Sequence, residues 1–330
     1  MALDHYVSQV HLKQFFSLKL GLRMHGTKKS DLKSFPCHSK DVCRIEEGST
    51  NAYLIHDRAV EEFLKGVEPN YVKSLAKLRA MTLDHECIVT FAGFAAYVTS
   101  CSPAAMRIHV GPLEKTLEAT AVILDRQGLI KKAPPELGSK SITEMMEDGT
   151  LRHSVDPKYP QAIGITTITA RMSAWGNSEW EILKNETNDC PFFTSDYPVA
   201  LEAKSHNLAN WIVPLAPDIA IRIIPDINLS GTQPDLSFRK LSCRYRAPSR
   251  AEIVDINRLI VRCAEDMVFY SDDFSWVGDF IKKNRNYRID TITERRPTKG
   301  GFLIVPTQRI VNFDRDLKPP GLLNDAITPA

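Results

Sequence analysis

Three small polar residues, Thr194-Ser195-Asp196, lie inside the run Cys190-Pro-Phe-Phe-Thr-Ser-Asp-Tyr-Pro-Val199, entered through aromatics and closed by Tyr-Pro. Apolar residues at the entry suit a buried strand, and Pro198 biases Tyr197 away from the helical region. A carboxylate and two hydroxyls would then sit where a rigid strand becomes a turn, a position that presents functional groups well. Two other residues complete a chemical set. Asp196 and Glu68 could hold a divalent cation through oxygen, and His5 could act as ligand or general base. Arg107 could then meet a phosphate. Such a set would make a metal-assisted, nuclease-like hydrolase acting on a phosphodiester, provided that His5, Glu68 and Asp196 converge.

The same residues also have bland uses. His5 could end a strand and donate to a main-chain carbonyl, and Asp196 could accept amides in an Asx-turn with Tyr197-Pro198. The chain would then be a non-catalytic ligand- or protein-binding module. No Walker loop, dinucleotide glycine loop, HExxH or nucleophile elbow occurs. His85-Glu86 begins like a zincin helix, but Val89 stands where the second His belongs. Ser102 and Ser195 have no local His or acid partner. Cys37-His38 with Cys43 matches no common zinc spacing. Whether the protein is an enzyme stays open at this level.

Composition sets the wider bounds. The 330 residues are 43% hydrophobic and 25% charged, as in an ordinary folded protein. Lys and Arg total 42 against 40 Asp and Glu, so there is no strong nucleic-acid signature. Short basic clusters, Lys28-Lys29, Lys282-Lys283 with Arg285 and Arg288, and Arg295-Arg296, read as solvated surface. The seven cysteines are odd in number and no export signal precedes them, which predicts reduced thiols and a cytoplasmic setting. Cys87 to Met106 carries no charge, yet its Thr, Ser, Gly and Pro103 suit a buried core helix better than a membrane span.

The elements that must position these residues follow from periodicity. Val60, Phe63, Leu64 and Val67 mark a helix that Pro69 interrupts, and Tyr71, Leu75 and Leu78 continue an apolar face. Thr82 is the expected cap of a helix over 83–100, with Pro103 bending or restarting it. Residues 127–160, dense in Gly and Pro, predict a loop-rich insertion or seam with a short helix at 141–147. Helical character resumes over 161–183, within which Trp180, Ile182 and Leu183 could begin a strand. Short strands then follow at 191–201, 211–215 and 219–224, with a helix over 255–270 and a late strand at 302–305. The tail from 319 to 330 should fray.

Separated segments resemble one family. His5-Tyr6-Val7-Ser8-Gln9, with Leu12-Lys13 and Phe15-Phe16, is similar to its leading HYVPQ motif, Ser8 standing where Pro is usual. Phe193-Thr-Ser-Asp-Tyr-Pro-Val199 is similar to its TSDNPV motif, with Tyr197 replacing Asn. Pro214-Leu-Ala-Pro217 is similar to a PLSP turn, and the helix holding Asn257 and ending at Val268-Phe-Tyr-Ser271 to its closing segment. Val67-Glu68-Pro69 and Ser102-Pro103 with Arg107 are weaker echoes, Cys101 taking an Arg place. The chain thus resembles a divergent member of DUF4238, a family that carries no activity with it. The matched polar positions Gln9, Thr194, Ser195, Tyr197 and Asn257, with Arg107, become candidate binding residues beside His5, Glu68 and Asp196.

The reading is one α+β domain over residues 1–330. A mainly helical middle packs against a small, mostly antiparallel sheet from the C-terminal half, with an N-terminal strand expected to join it.

Overall fold

The computed structural model describes residues 3–205, 208–226, 233–299 and 301–313; the expected frayed tail lies outside them. Strand β1 (Leu3–His5) and helix α1 (Gln9–Leu12) open the chain, followed by strands β2 (Met24–Lys28), β3 (Ser34–Cys37) and β4 (Arg44–Glu46). Helices α2 (Ala59–Val67), α3 (Tyr71–Arg79), α4 (His85–Cys101), α5 (Pro103–Arg126), α6 (Ile142–Glu147), α7 (Lys158–Thr166) and α8 (Ile168–Gly176) make the middle. Strands β5 (Glu179–Lys184), β6 (Thr194–Ser195), β7 (Ala200–Ser205), β8 (Leu208–Ala216), β9 (Ile219–Ile224) and β10 (Ser242–Arg246) come next. Helix α9 (Arg250–Cys263), strand β11 (Met267–Tyr270), helix α10 (Val277–Asn284) and the hairpin of β12 (Tyr287–Thr298) and β13 (Gly301–Asn312) complete it.

The architecture is α+β, as the sequence predicts. One sheet runs β10-β5-β9-β8-β7, antiparallel except for the β10/β5 pair. Consecutive residues of β5, β8 and β9 are buried, so both faces are covered, because successive strand side chains point to opposite sides. Within this sheet Glu181 faces Arg222 on one neighbouring strand and Arg244 on the other. Its carboxylate accepts from Arg222 at 2.6 Å and from Arg246 at 3.1 Å. Burial pushes its pKa up, but the three arginines outweigh this and hold it at about 2. The second sheet, β3-β2-β11-β6, is where the N-terminal segment joins the C-terminal half.

Helix α4 is the axis of the helical middle. Every residue from Thr90 to Cys101 is buried, which accounts for the charge-free stretch. Its cap is Asp84, two residues later than the expected Thr82; the Asp84 carboxylate accepts the Cys87 N–H at 3.0 Å. Ser102 caps α5, with Pro103 in its first turn, and the two helices meet at a 58° bend. At Gly93 a Cβ would come within 2.9 Å of Val67, so glycine there lets α2 settle directly on α4. Among the described residues no single helix is long and apolar enough to cross a membrane. Residues 127–157 do carry turns, with α6 started by a complete capping box at Ser141 and Glu144.

Two element predictions need correction. The run 191–201 is not one strand: only Thr194–Ser195 pairs before β7 begins at Ala200. The helix expected through Tyr270 stops at Cys263, where Ala264 turns extended (ψ 142°), and Met267–Tyr270 pairs as the central strand between β2 and β6. A short apolar run does not distinguish helix from strand by period alone.

Candidate functional site

The Thr-Ser-Asp run is positioned by β6, and its polar groups are turned into the fold. Asp196 is 3% exposed. Its Oδ1 accepts the N–H of Glu265 and its Oδ2 the N–H groups of Asp266 and Met267, each at 2.8 Å. Burial pushes its pKa up to about 6 against these amides and nearby Lys29, so the group is ionised at neutral pH. Lys29 donates to the carbonyl of Ala264, which begins the same loop, at 2.6 Å and to that of Tyr287, the first residue of β12, at 2.7 Å. Asp196 therefore clamps a distant loop rather than forming the local turn with Tyr197-Pro198.

Its neighbours behave likewise. Ser195 Oγ accepts the Tyr197 N–H at 3.1 Å. Thr194 Oγ1 meets His11 Nε2 at 2.7 Å, and His11 Nδ1 meets the Tyr71 hydroxyl at 2.7 Å. Tyr197 is buried, which pushes its phenol up, so it stays protonated. Asn257, on α9, acts as a strand partner for the preceding segment. It accepts the Phe193 N–H at 2.8 Å and donates to the Pro191 carbonyl at 2.8 Å. Arg107 does not offer a free guanidinium to phosphate. It holds Glu265 bidentately at 2.9 and 2.7 Å, donates to the Ile289 carbonyl and lies 3.1 Å from Asp290.

The expected convergence is met by two members of the set and not by the third. His5 and Glu68, together with Gln9, line one open cleft of about 410 Å³ that also includes Asp4, Ser49 and Lys65. Asp196 does not line it, and both its oxygens are engaged elsewhere. The proposed pair of metal-binding carboxylates, Asp196 and Glu68, is thus not assembled. Among the described residues no group of three or more His, Cys, Asp and Glu is placed to hold a metal ion.

Each cleft residue is set by its element. His5 ends β1 opposite Arg44 on β4, and its carbonyl accepts from the Tyr97 hydroxyl of α4 at 2.6 Å. Its ring is half-buried. Burial and Arg44 lower its pKa against the opposing carbonyls of Lys40 and Ser39 and the Glu68 carboxylate, leaving it neutral at pH 7. Its Nε2 is shielded and has no hydrogen-bond partner among the described residues. Glu68 opens the tight turn Glu68–Asn70 between α2 and α3, made by Pro69, and accepts from Ser8 Oγ at 2.5 Å. Ser8, standing where the resemblance expects Pro, thereby aims this carboxylate. Gln9 Oε1 accepts from Ser39 at 3.3 Å.

His11 is the polar residue that sequence reasoning passed over. It is fully buried, stacks on Phe94 at 4.6 Å, and burial lowers its pKa to about 3. Its place among Val10, Leu12 and Phe15 was the available signal: an imidazole in an apolar stripe needs partners for both nitrogens.

No curated protein and no solved structure matches the chain significantly. The family model described as Protein of unknown function (DUF4238) matches residues 4–274, most of the chain, and the protein belongs to that family.

Proposed function

We propose that the cleft of His5, Gln9 and Glu68 is the working site, and that it hydrolyses a phosphodiester with the help of a divalent cation. The observation that carries this reading is the meeting of a neutral imidazole and a carboxylate on one open cleft; the ring's Nε2, which no described protein group uses, is shielded and must be uncovered before it meets water. A neutral His can take a proton from an attacking water. Glu68 keeps one oxygen beyond its bond to Ser8. A hard cation such as Mg²⁺ commonly takes one or two carboxylates and completes its shell with water and substrate phosphate, so Glu68 and the phosphodiester would share it. Gln9 supplies an amide donor for an equatorial oxygen. The seven unpaired cysteines, six of them buried, suit a reducing, cytoplasmic setting.

The test is turnover of bis(p-nitrophenyl) phosphate with Mg²⁺ or Mn²⁺, measured for wild type, His5→Gln and Glu68→Gln. Turnover that falls at least a hundredfold in both variants supports the reading. A second reading, a non-catalytic ligand- or protein-binding module, is favoured by the engagement of Asp196, Arg107, Thr194, Ser195 and Asn257 in holding the fold. Cleft-dependent binding without turnover would select it.

A further inference from the structure

A second cavity, of about 330 Å³, lies where α5, α7 and α8 meet the β12/β13 hairpin. Its walls are largely apolar: Pro112, Leu113, Pro160, Ile163 and Pro306. Among the described residues, the one cation lining it is Arg171 of α8. Gly164 makes this arrangement possible. A Cβ there would lie 3.0 Å from that of Ser100, so glycine lets α7 press against the end of α4. Arg171 Nη1 then reaches the Ser100 and Thr99 hydroxyls at 2.8 and 3.0 Å.

That anchor fixes one corner of the guanidinium. Among the described residues, Nε and Nη2 make no hydrogen bond, and no carboxylate lies within ion-pair distance of Arg171. Elsewhere in this chain the same Nε/Nη2 edge holds a carboxylate: Arg107 grips Glu265 at 2.9 and 2.7 Å, and Arg79 grips Asp218 at 2.7 Å through both. The carboxy end of α4 brings about half a negative charge near Arg171, which leaves its cation only partly balanced. A planar guanidinium edge matches a carboxylate bidentately, and a half-buried arginine that lacks this partner forgoes its strongest interaction.

We propose that this cavity is a binding site for an amphiphilic carboxylate, with the carboxylate on the Nε/Nη2 edge of Arg171 and an apolar body against Leu113, Ile163 and the prolines. The volume is that of a small-molecule site, and apolar walls with a few placed polar groups, here Arg171 with His109, Thr167, Thr291 and Gln308, are its usual make-up. The site is separate from the His5–Glu68 cleft and does not rest on the function proposed for it.

Octanoate is the probe, titrated calorimetrically into the whole protein beside 1-octanol, which lacks the charge, and acetate, which lacks the body. Octanoate should bind at least tenfold more tightly than either. Arg171→Gln should weaken octanoate at least tenfold and bring it level with octanol. Ile163→Glu places a competing carboxylate at a half-exposed wall position, and should abolish octanoate binding without lowering the melting temperature. This keeps the test decisive if Arg171→Gln fails to fold. Equal binding of octanoate and octanol, no binding of octanoate, or unchanged octanoate affinity in Ile163→Glu would overturn the proposal.

Discussion

Thr194 Oγ1 lies 2.7 Å from Nε2 of His11, joining the first helix of the chain to the strand of the Thr-Ser-Asp run. The other ring nitrogen meets Tyr71, whose hydroxyl also lies 3.4 Å from the Leu215 carbonyl. One buried imidazole thus ties together α1, α3, β6 and β8. A neutral ring carries one donor and one acceptor, and hydroxyls on both sides satisfy either tautomer.

This tie should be sensitive to acid. The His11 pKa falls from 6.5 to about 3 on folding, because burial disfavours the charged ring. Between those values the unfolded chain binds a proton that the native protein does not. The contribution of His11 is therefore complete above pH 6.5 and is lost as pH falls toward 3. Asp196 runs the other way, since its folded pKa of about 6 lies above the ordinary 3.8. Comparison of variants isolates the histidine. In urea melts, the stability gap between wild type and His11→Asn should narrow by up to about 1.4 kcal/mol per pH unit between pH 6 and pH 4. A gap that stays constant would rule out a neutral buried imidazole.

Asp196→Ala strips the acceptor from three main-chain N–H groups at once. An unpaired buried donor costs about 1–3 kcal/mol, so the loss should reach roughly 3 kcal/mol or more. It should be the same with and without Mg²⁺, since the carboxylate's partners are amides. A Mg²⁺-dependent difference in melting temperature between wild type and this variant would put a cation at Asp196.

Asn257→Ala should cost about 2–4 kcal/mol, because it leaves the Phe193 N–H and the Pro191 carbonyl unpaired in the core. Asn257→Asp keeps the acceptor for Phe193 but sets a second acceptor oxygen against the Pro191 carbonyl and buries a charge, so at pH 7 its denaturation midpoint should fall at least as far as that of Asn257→Ala.

Much of the fold could be read in the sequence because its signals are local. The stripe from Val60 to Val67, the Pro69 interruption, the charge-free stretch that became α4 and the short helix from Ser141 all declare themselves within a few residues. What could not be read is non-local. Asp196 was legible as a carboxylate at the end of a strand, but its partners lie 69–71 residues further on. The same loop sets Glu265 against Arg107, so an arginine that looked available for phosphate is neutralised by a residue 158 positions away. Met267–Tyr270 looked helical because its apolar run continues that of α9; its strand partners come from β2 and β6, one at the far end of the chain. His5 and Glu68 were legible as candidates, and their meeting in one cleft needed the fold.

The cleft makes its own prediction about cations. If Glu68 and a substrate phosphate share a divalent ion, Glu68→Gln should abolish any stabilisation by Mn²⁺ in the presence of inorganic phosphate and leave the apo melting temperature unchanged. Thermal shift with Mn²⁺ and phosphate, separately and together, reads this directly. A response retained in Glu68→Gln would place the cation elsewhere.

The central claim is a division of labour: the Thr-Ser-Asp run and Asn257 hold the fold, while His5 and Glu68 serve the cleft. Urea denaturation of Asp196→Ala and Glu68→Gln, run side by side at pH 7, tests it most directly. The account predicts a loss of roughly 3 kcal/mol or more for Asp196→Ala and a change within about 0.5 kcal/mol for Glu68→Gln, whose amide oxygen still accepts from Ser8. The reverse pattern, with Glu68→Gln strongly destabilised and Asp196→Ala unaffected, would contradict it.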